Sequence, residues 1–206
     1  MKSASTKPNA SGANRLRIIG GRWRGTKLNF PDVIAIRPTP DRVRETVFNW
    51  LQNDIANMHC LDLFAGSGAL GLEALSRGAN KVTFVDREFV IGKYLRDTLQ
   101  RLNCDQAQVI SSDAINFLKG TATPFDVVFL DPPFAASADT QLLSQVCSQL
   151  ESHGWLNEHA HIYIECPSTM ASPEALPLWP SNWMLKKSKY AGQVGYHLAR
   201  RGSDSR

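Results

Sequence analysis

Cysteine is scarce in this chain, with four in 206 residues. Cys60, Cys104, Cys147 and Cys166 make no C-x-x-C pair, which leaves neither a disulfide framework nor a thiolate metal site, so the four read as reduced thiols of a cytosolic protein. Long apolar runs are missing too, and nothing approaches the ~20 residues that cross a bilayer. Residues 1–10 are polar and lack the apolar centre of a secretory signal, so the expectation is a soluble, cytoplasmic protein with no membrane partner. His153, His159 and His161 have no companion Cys or carboxylate at ligand spacing, and no metal is expected. Neither a heptad pattern nor an internal repeat is present, and a monomer is the expectation.

What remains is an ordinary globular composition. Hydrophobic residues make up 43% and charged residues 20%, enough for one well-developed core, and the length fits about one to one and a half domains. Charge, however, is unevenly spread. Ten of the 23 Lys and Arg but only four of the 19 Asp and Glu fall in residues 1–58, so that quarter carries +6 and the remainder −2. A basic face on a neutral body is the footprint of a polyanion partner, because Lys and Arg displace condensed counterions from phosphates. A solvated basic face is the competing reading.

Residues 1–14 are polar and read as a flexible tail. Over residues 15–58, two short β-like runs flank Gly20-Gly21 and predict a small basic hairpin. Thr39-Pro40-Asp41 then offers an N-cap, a first-turn proline and an acid for a helix over about 40–52. Residues 59–206 change character. Short, almost wholly apolar runs at 59–63, 81–85, 107–111, 125–130 and 160–165 alternate with helical stretches at about 69–77, 88–102, 113–119 and 139–150. That is the pattern of parallel strands buried on both faces, an α/β, Rossmann-like fold with right-handed crossovers. Residues 183–190 and 193–200 read as a C-terminal antiparallel hairpin that completes a seven-stranded sheet.

The first βα turn reads Asp62-Leu63-Phe64-Ala65-Gly66-Ser67-Gly68-Ala69-Leu70-Gly71, and Asp86 ends the next strand twenty residues after Gly66. This is the G-x-G-x-x-G of a nucleotide-binding βαβ unit with its acidic partner. The glycines alone do not choose the nucleotide. A dinucleotide would set a pyrophosphate beside the Asp62 carboxylate, whereas S-adenosylmethionine brings an ammonium and a sulfonium that Asp62 attracts. Asp62 is thus read as an ammonium partner or as a cap of the turn. Asp86 suits ribose hydroxyls, and Asp113, beside Ala114, either accepts from an adenine amine or caps its helix.

The fourth strand ends in Asp131-Pro132-Pro133-Phe134, at the carboxyl end where open α/β folds bind ligands near their switch point. Two prolines remove N–H donors and leave carbonyls as acceptors. Asp131 adds a carboxylate and Phe134 a ring for stacking. Such a site takes a planar substrate that donates from an exocyclic amine. Accepting its protons on Asp131 and on the Pro132 carbonyl favours positive charge at the nitrogen, in line with a sulfonium methyl.

The loop 62–68 resembles motif I of class I S-adenosylmethionine-dependent methyltransferases, and residues 131–134 are similar to the D/N-P-P-F/Y motif of exocyclic-amine methyltransferases. With Arg17-Ile18-Ile19-Gly20-Gly21-Arg22-Trp23-Arg24-Gly25 and Arg37-Pro38-Thr39-Pro40-Asp41-Arg42-Val43-Arg44-Glu45, the chain resembles the RsmD family of bacterial 16S ribosomal RNA guanine-N2 methyltransferases over about residues 15–200. The resemblance implies a class I methyltransferase fold and methylation of one guanine, the family's position 966, in the small subunit or its assembly intermediate. By carry-over Asp131, Pro132 and Phe134 hold the base, while Asp62, Phe64, Ala65, Gly66, Ser67, Gly68, Asp86, Asp113 and Ala114 bind the cofactor. Arg22, Trp23, Arg24, Lys27, Arg37, Arg42 and Arg44 are then the RNA-gripping set. Adenine N6, a protein glutamine amide, or nucleotide-regulated RNA binding without catalysis are the alternatives that share these features.

Overall fold

The computed structural model describes residues 15–31, 39–133, 138–168 and 179–202; the expected tail, Arg37 and Phe134 lie outside them. Seven strands form one sheet in the order β5-β4-β3-β6-β7-β9-β8. They are β3 (His59–Asp62), β4 (Lys81–Asp86), β5 (Ala107–Ser111), β6 (Phe125–Leu130), β7 (Leu156–Pro167), β8 (Trp183–Ala191) and β9 (Val194–Arg201). The first five run parallel, and β9 lies antiparallel between β7 and β8. The expected α/β architecture with its C-terminal hairpin is the one observed.

Successive side chains of a strand point to opposite faces, and both faces here are covered. On one side Cys60, Val82, Phe84, Val127, Phe129 and Tyr163 pack against α1 (Asp41–Trp50), α2 (Ala69–Ser76) and α3 (Phe89–Arg101). On the other, Leu61, Leu63, Val85, Val128, Leu130, Ile162 and Ile164 pack against α4 (Ala114–Leu118) and α5 (Ala138–Ser152). A residue from each strand in turn joins one cluster and then the other, which is why the runs read as unbroken apolar segments. β7 begins four residues before the expected position. The register on β6 slips between Phe125 and Val127, and His159 takes φ +75° within the bulge.

The N-terminal hairpin forms, but not by a tight turn at Gly20-Gly21. β1 (Arg15–Arg17) pairs antiparallel with β2 (Lys27–Asn29), and the connection folds back as a 3₁₀ turn over Gly21–Trp23. The reason is a competing set of acceptors on α2. Glu73 takes the N–H groups of Ile19 and Gly20, each at 2.8 Å, and Ser76 Oγ takes that of Trp23 at 3.0 Å. Leu16, Ile18, Leu28 and Phe30 are buried in the same cluster as the sheet, so the basic segment is continuous with the main core.

Candidate active site at the carboxyl ends of β3, β4 and β6

The glycine loop joins β3 to α2. Gly68 is the N-cap of α2 at φ +76°, a conformation that L side chains rarely adopt, and a Cβ there would lie 2.6 Å from Leu95. Gly71 meets the Phe84 ring of β4 so closely that a Cβ would overlap it, which is the helix–strand packing role of the third glycine. Asp86 holds the loop from the neighbouring strand: its Oδ2 accepts from Gly66 N–H and its Oδ1 from Glu88 N–H, both at 2.8 Å. Each carboxylate oxygen keeps a second lone pair, so a ribose diol can still donate to Asp86. Ala65 and Ser67 are buried in the loop, and Phe64 is half-buried.

Asp62, only 2% exposed, accepts from Gly71 N–H at 2.9 Å through Oδ2. It therefore does cap the turn. Burial pushes its carboxyl up to about 7; the Gly71 hydrogen bond opposes this, and the charges of Asp131 and Asp86 add to it. Two neighbouring carboxyl groups thus act on the buried Asp62. That donor set fits a cation and disfavours a pyrophosphate, so of the two ligands weighed above the sulfonium cofactor is the one these residues suit. Among the described residues no group of three or more His, Cys, Asp or Glu is arranged to hold a metal ion.

Asp113 caps α4, its Oδ1 accepting from Ile115 N–H at 2.9 Å and Asn116 N–H at 3.2 Å. Of its two readings the cap is the one displayed, and Ala114, buried behind it, starts the helix.

Asp131 follows β6 directly, half-buried, with Pro132 buried and Pro133 exposed. The Thr39 hydroxyl donates to Asp131 Oδ2 at 3.0 Å. This corrects the expected role of Thr39 as a helix cap: α1 has Pro40 at its N-cap position and no side-chain cap, because the hydroxyl is taken by the Asp131 carboxylate. Burial pushes Asp131 up to about 6, against the pull of the Thr39 and Glu165 hydrogen bonds. Glu165, near the end of β7 and 6% exposed, is raised to about 8, first by burial and then by Asp131. Tyr163 donates to Glu165 Oε1 at 2.7 Å. Sequence reasoning missed Glu165 and Tyr163. The available signal was a glutamate interrupting a buried strand, one strand over from Asp131.

The expected RNA-gripping residues divide. Arg24, Lys27 and Arg42 are exposed. Arg22 is exposed as well, with its guanidinium 4.1 Å from the centre of the half-buried Trp23 ring and 2.8 Å from Gln106 Oε1. Arg44 does not belong with them. It is 1% exposed and reaches Asp41 Oδ1 at 2.6 Å, Glu73 Oε2 at 3.4 Å and the carbonyls of Arg17 and Thr39. A guanidinium so enclosed serves the fold, because its position on the buried face of α1 turns it inward toward Glu73.

The family described as Conserved hypothetical protein 95 matches residues 16–200. The Ribosomal RNA small subunit methyltransferase D of Escherichia coli strain K12 is 47% identical over 195 residues, covering 95% of this chain and 94% of that protein. Its counterpart of the same name in Haemophilus influenzae is 45% identical over 202 residues, covering 96% and 98%. The solved structure of yhhF from Escherichia coli superposes with a TM-score of 0.82 at 44% identity, over 92% of this chain and 99% of that one.

Proposed function

The chain belongs to the Conserved hypothetical protein 95 family, that of the ribosomal RNA small subunit methyltransferases D, and on that premise we propose that it methylates the exocyclic N2 amine of one guanine in 16S ribosomal RNA. The donor is S-adenosylmethionine, which supplies an electrophilic methyl group on a sulfonium. The observation that carries the reading is the set of Asp62, Asp86 and Asp131 at the carboxyl ends of three adjacent strands, where the last two raise the buried Asp62 carboxyl and so favour a cation beside it. Asp62 neutralises the ammonium. Asp86 takes the ribose hydroxyls, with Phe64, Ala65, Gly66, Ser67 and Gly68 lining the cofactor and Asp113 and Ala114 bounding its base. Asp131 and the Pro132 carbonyl accept from the target amine, which raises electron density on a nitrogen otherwise delocalised into the purine ring. Phe134 stacks the flipped base.

Arg22, Arg24, Lys27 and Arg42 grip phosphates and fix register while the base edge is read in the cleft. No helix among the described residues is long and apolar enough to cross a membrane. A cytoplasmic monomer acting on the small subunit or its assembly intermediate completes the reading.

Naked 16S RNA, an assembly intermediate and finished small subunits, each incubated with protein and labelled cofactor, test it. Labelled N2-methylguanine at one nucleotide is the expected product, and label on adenine, on protein or nowhere would refute the reading. Asp131→Ala should abolish transfer and leave cofactor affinity within about threefold in calorimetry, since its expected partner is the amine. Tighter binding of NAD than of S-adenosylmethionine would make the protein something else.

A further inference from the structure

The site holds a fourth acidic group, Glu165, to which the proposed chemistry gives no role. β6 and β7 are parallel neighbours with Leu130 opposite Ile164, so Asp131, just past the end of β6, and Glu165 of β7 occupy the next position along each chain, on the same face of the sheet. Side by side and withdrawn from water, the two carboxyl groups act on one another directly. Two ionised carboxylates are acceptors only, so the pair is favourable when it holds one proton. The surrounding donors are already assigned. Tyr163 O–H serves Glu165 Oε1 at 2.7 Å, and Thr39 O–H serves Asp131 Oδ2 at 3.0 Å, leaving the Asp131–Glu165 contact to a proton of the pair itself.

Resting on the methyltransferase reading, we propose that Glu165 is a positioning residue of the reaction: it keeps the proton of the Asp131–Glu165 pair and thereby holds Asp131 as the ionised, oriented acceptor for the target amine.

The groups facing the pair come from every element around it. Thr39 enters from the N-terminal segment, Asp62 from β3, Tyr163 from β7 itself and Tyr196 from β9. None of these described groups is a cation, so a second negative charge on the pair gains no compensation from them. Burial puts Asp131 at about 6, and burial together with the Asp131 charge puts Glu165 at about 8, which leaves the proton on Glu165 near neutrality and one negative charge on Asp131. Tyr163, pushed well up by burial and by Glu165, stays a donor.

In the transfer step the amine nitrogen forms its bond to the methyl carbon, and the carbon–sulfur bond breaks with its electron pair going to sulfur. The surplus proton on nitrogen passes to Asp131 and leaves to water as the product departs. With its own proton in place, Glu165 donates to Asp131 before the step and so fixes which oxygens face the substrate. Once that proton is lost at high pH, the pair becomes a repelling dianion and the acceptor is displaced.

The test is the pH dependence of kcat and KM for the full-length protein with its RNA substrate, in wild type, Glu165→Gln, Glu165→Ala and Tyr163→Phe. Glu165→Ala should lower kcat by about 10²-fold with little change in KM. Glu165→Gln, whose amide donates permanently, should restore most of that loss. It should also remove the alkaline decline that wild type shows as the pH passes about 8. Tyr163→Phe should move that decline to higher pH, because Glu165 loses a donor to its charged form. A Gln variant with the wild-type alkaline limb would overturn the inference, as would an Ala variant with wild-type kcat and profile. If Glu165→Ala fails to fold, the Gln profile alone decides. Wild-type protein that moves no methyl to guanine would sink the underlying reading instead, a result distinct from either of these.

Discussion

Asp62 shows how one side chain can cap a turn and still await a ligand. Its Oδ2 is committed to Gly71 N–H, yet burial leaves the group with a carboxyl raised to about 7. A cationic ligand binds the ionised form. Below pH 7 the free protein must therefore release a proton to bind, and affinity should weaken as the pH falls through that value, approaching tenfold per unit well below it. Calorimetry with S-adenosylmethionine in buffers of different ionisation enthalpy reads the proton directly; pH-independent affinity between 6 and 8 would remove Asp62 from the cation site. Asp62, Asp86 and Asp131 were all legible in the sequence, because each ends a strand beside a motif whose residue types have few other uses. Glu165 was not. Its importance comes from the β6–β7 register, which pairs residues 34 positions apart, and no local pattern encodes that.

At the scale of elements, the parallel strands and their helices were readable to within a residue or two, β7 with its four-residue earlier start excepted, since burial on both faces writes itself as uninterrupted apolar runs. The segment before them was read less well, because its conformation is dictated from a distance. The hairpin loop is set by Glu73 and Ser76 of α2, and Thr39 is diverted from its helix by Asp131. Glu73 is the junction, completely buried and contacted by Ile19, Gly20, Arg44 and Arg77. Arg44→Ala would leave it short of one positive partner. We expect a loss of about 3 kcal/mol, the low end for breaking a buried ion pair, because Arg77 remains at 2.7 Å. Denaturant unfolding measures this. A loss below about 0.5 kcal/mol, the size of an exposed pair, would show that the pair contributes nothing beyond a surface contact.

For the whole molecule, the uneven charge seen in the sequence becomes a question of which cations reach solvent. Arg24, Lys27 and Arg42 do, and Arg44 does not. Replacing Arg24 and Lys27 together by Gln should therefore reduce the salt dependence of RNA binding by about one power of salt concentration per side chain, whereas Arg44→Ala should leave the slope unaltered. Filter binding across a salt series distinguishes the two, and equal slopes in all three proteins would take the hairpin out of the interface. Charge counting located the basic quarter but could not sort its members, because an arginine facing water and one facing a buried glutamate have the same letter.

Thr39 lies at the junction of these two regions, its hydroxyl on Asp131 and its carbonyl bonded to Arg44. The leading segment is for that reason unlike an exchangeable cassette. On the proposed function, grafting it from a distant relative would transplant part of the reaction chamber along with the grip on RNA, and a chimera whose graft lacks this threonine would bring its substrate to an acceptor left without one of its supports.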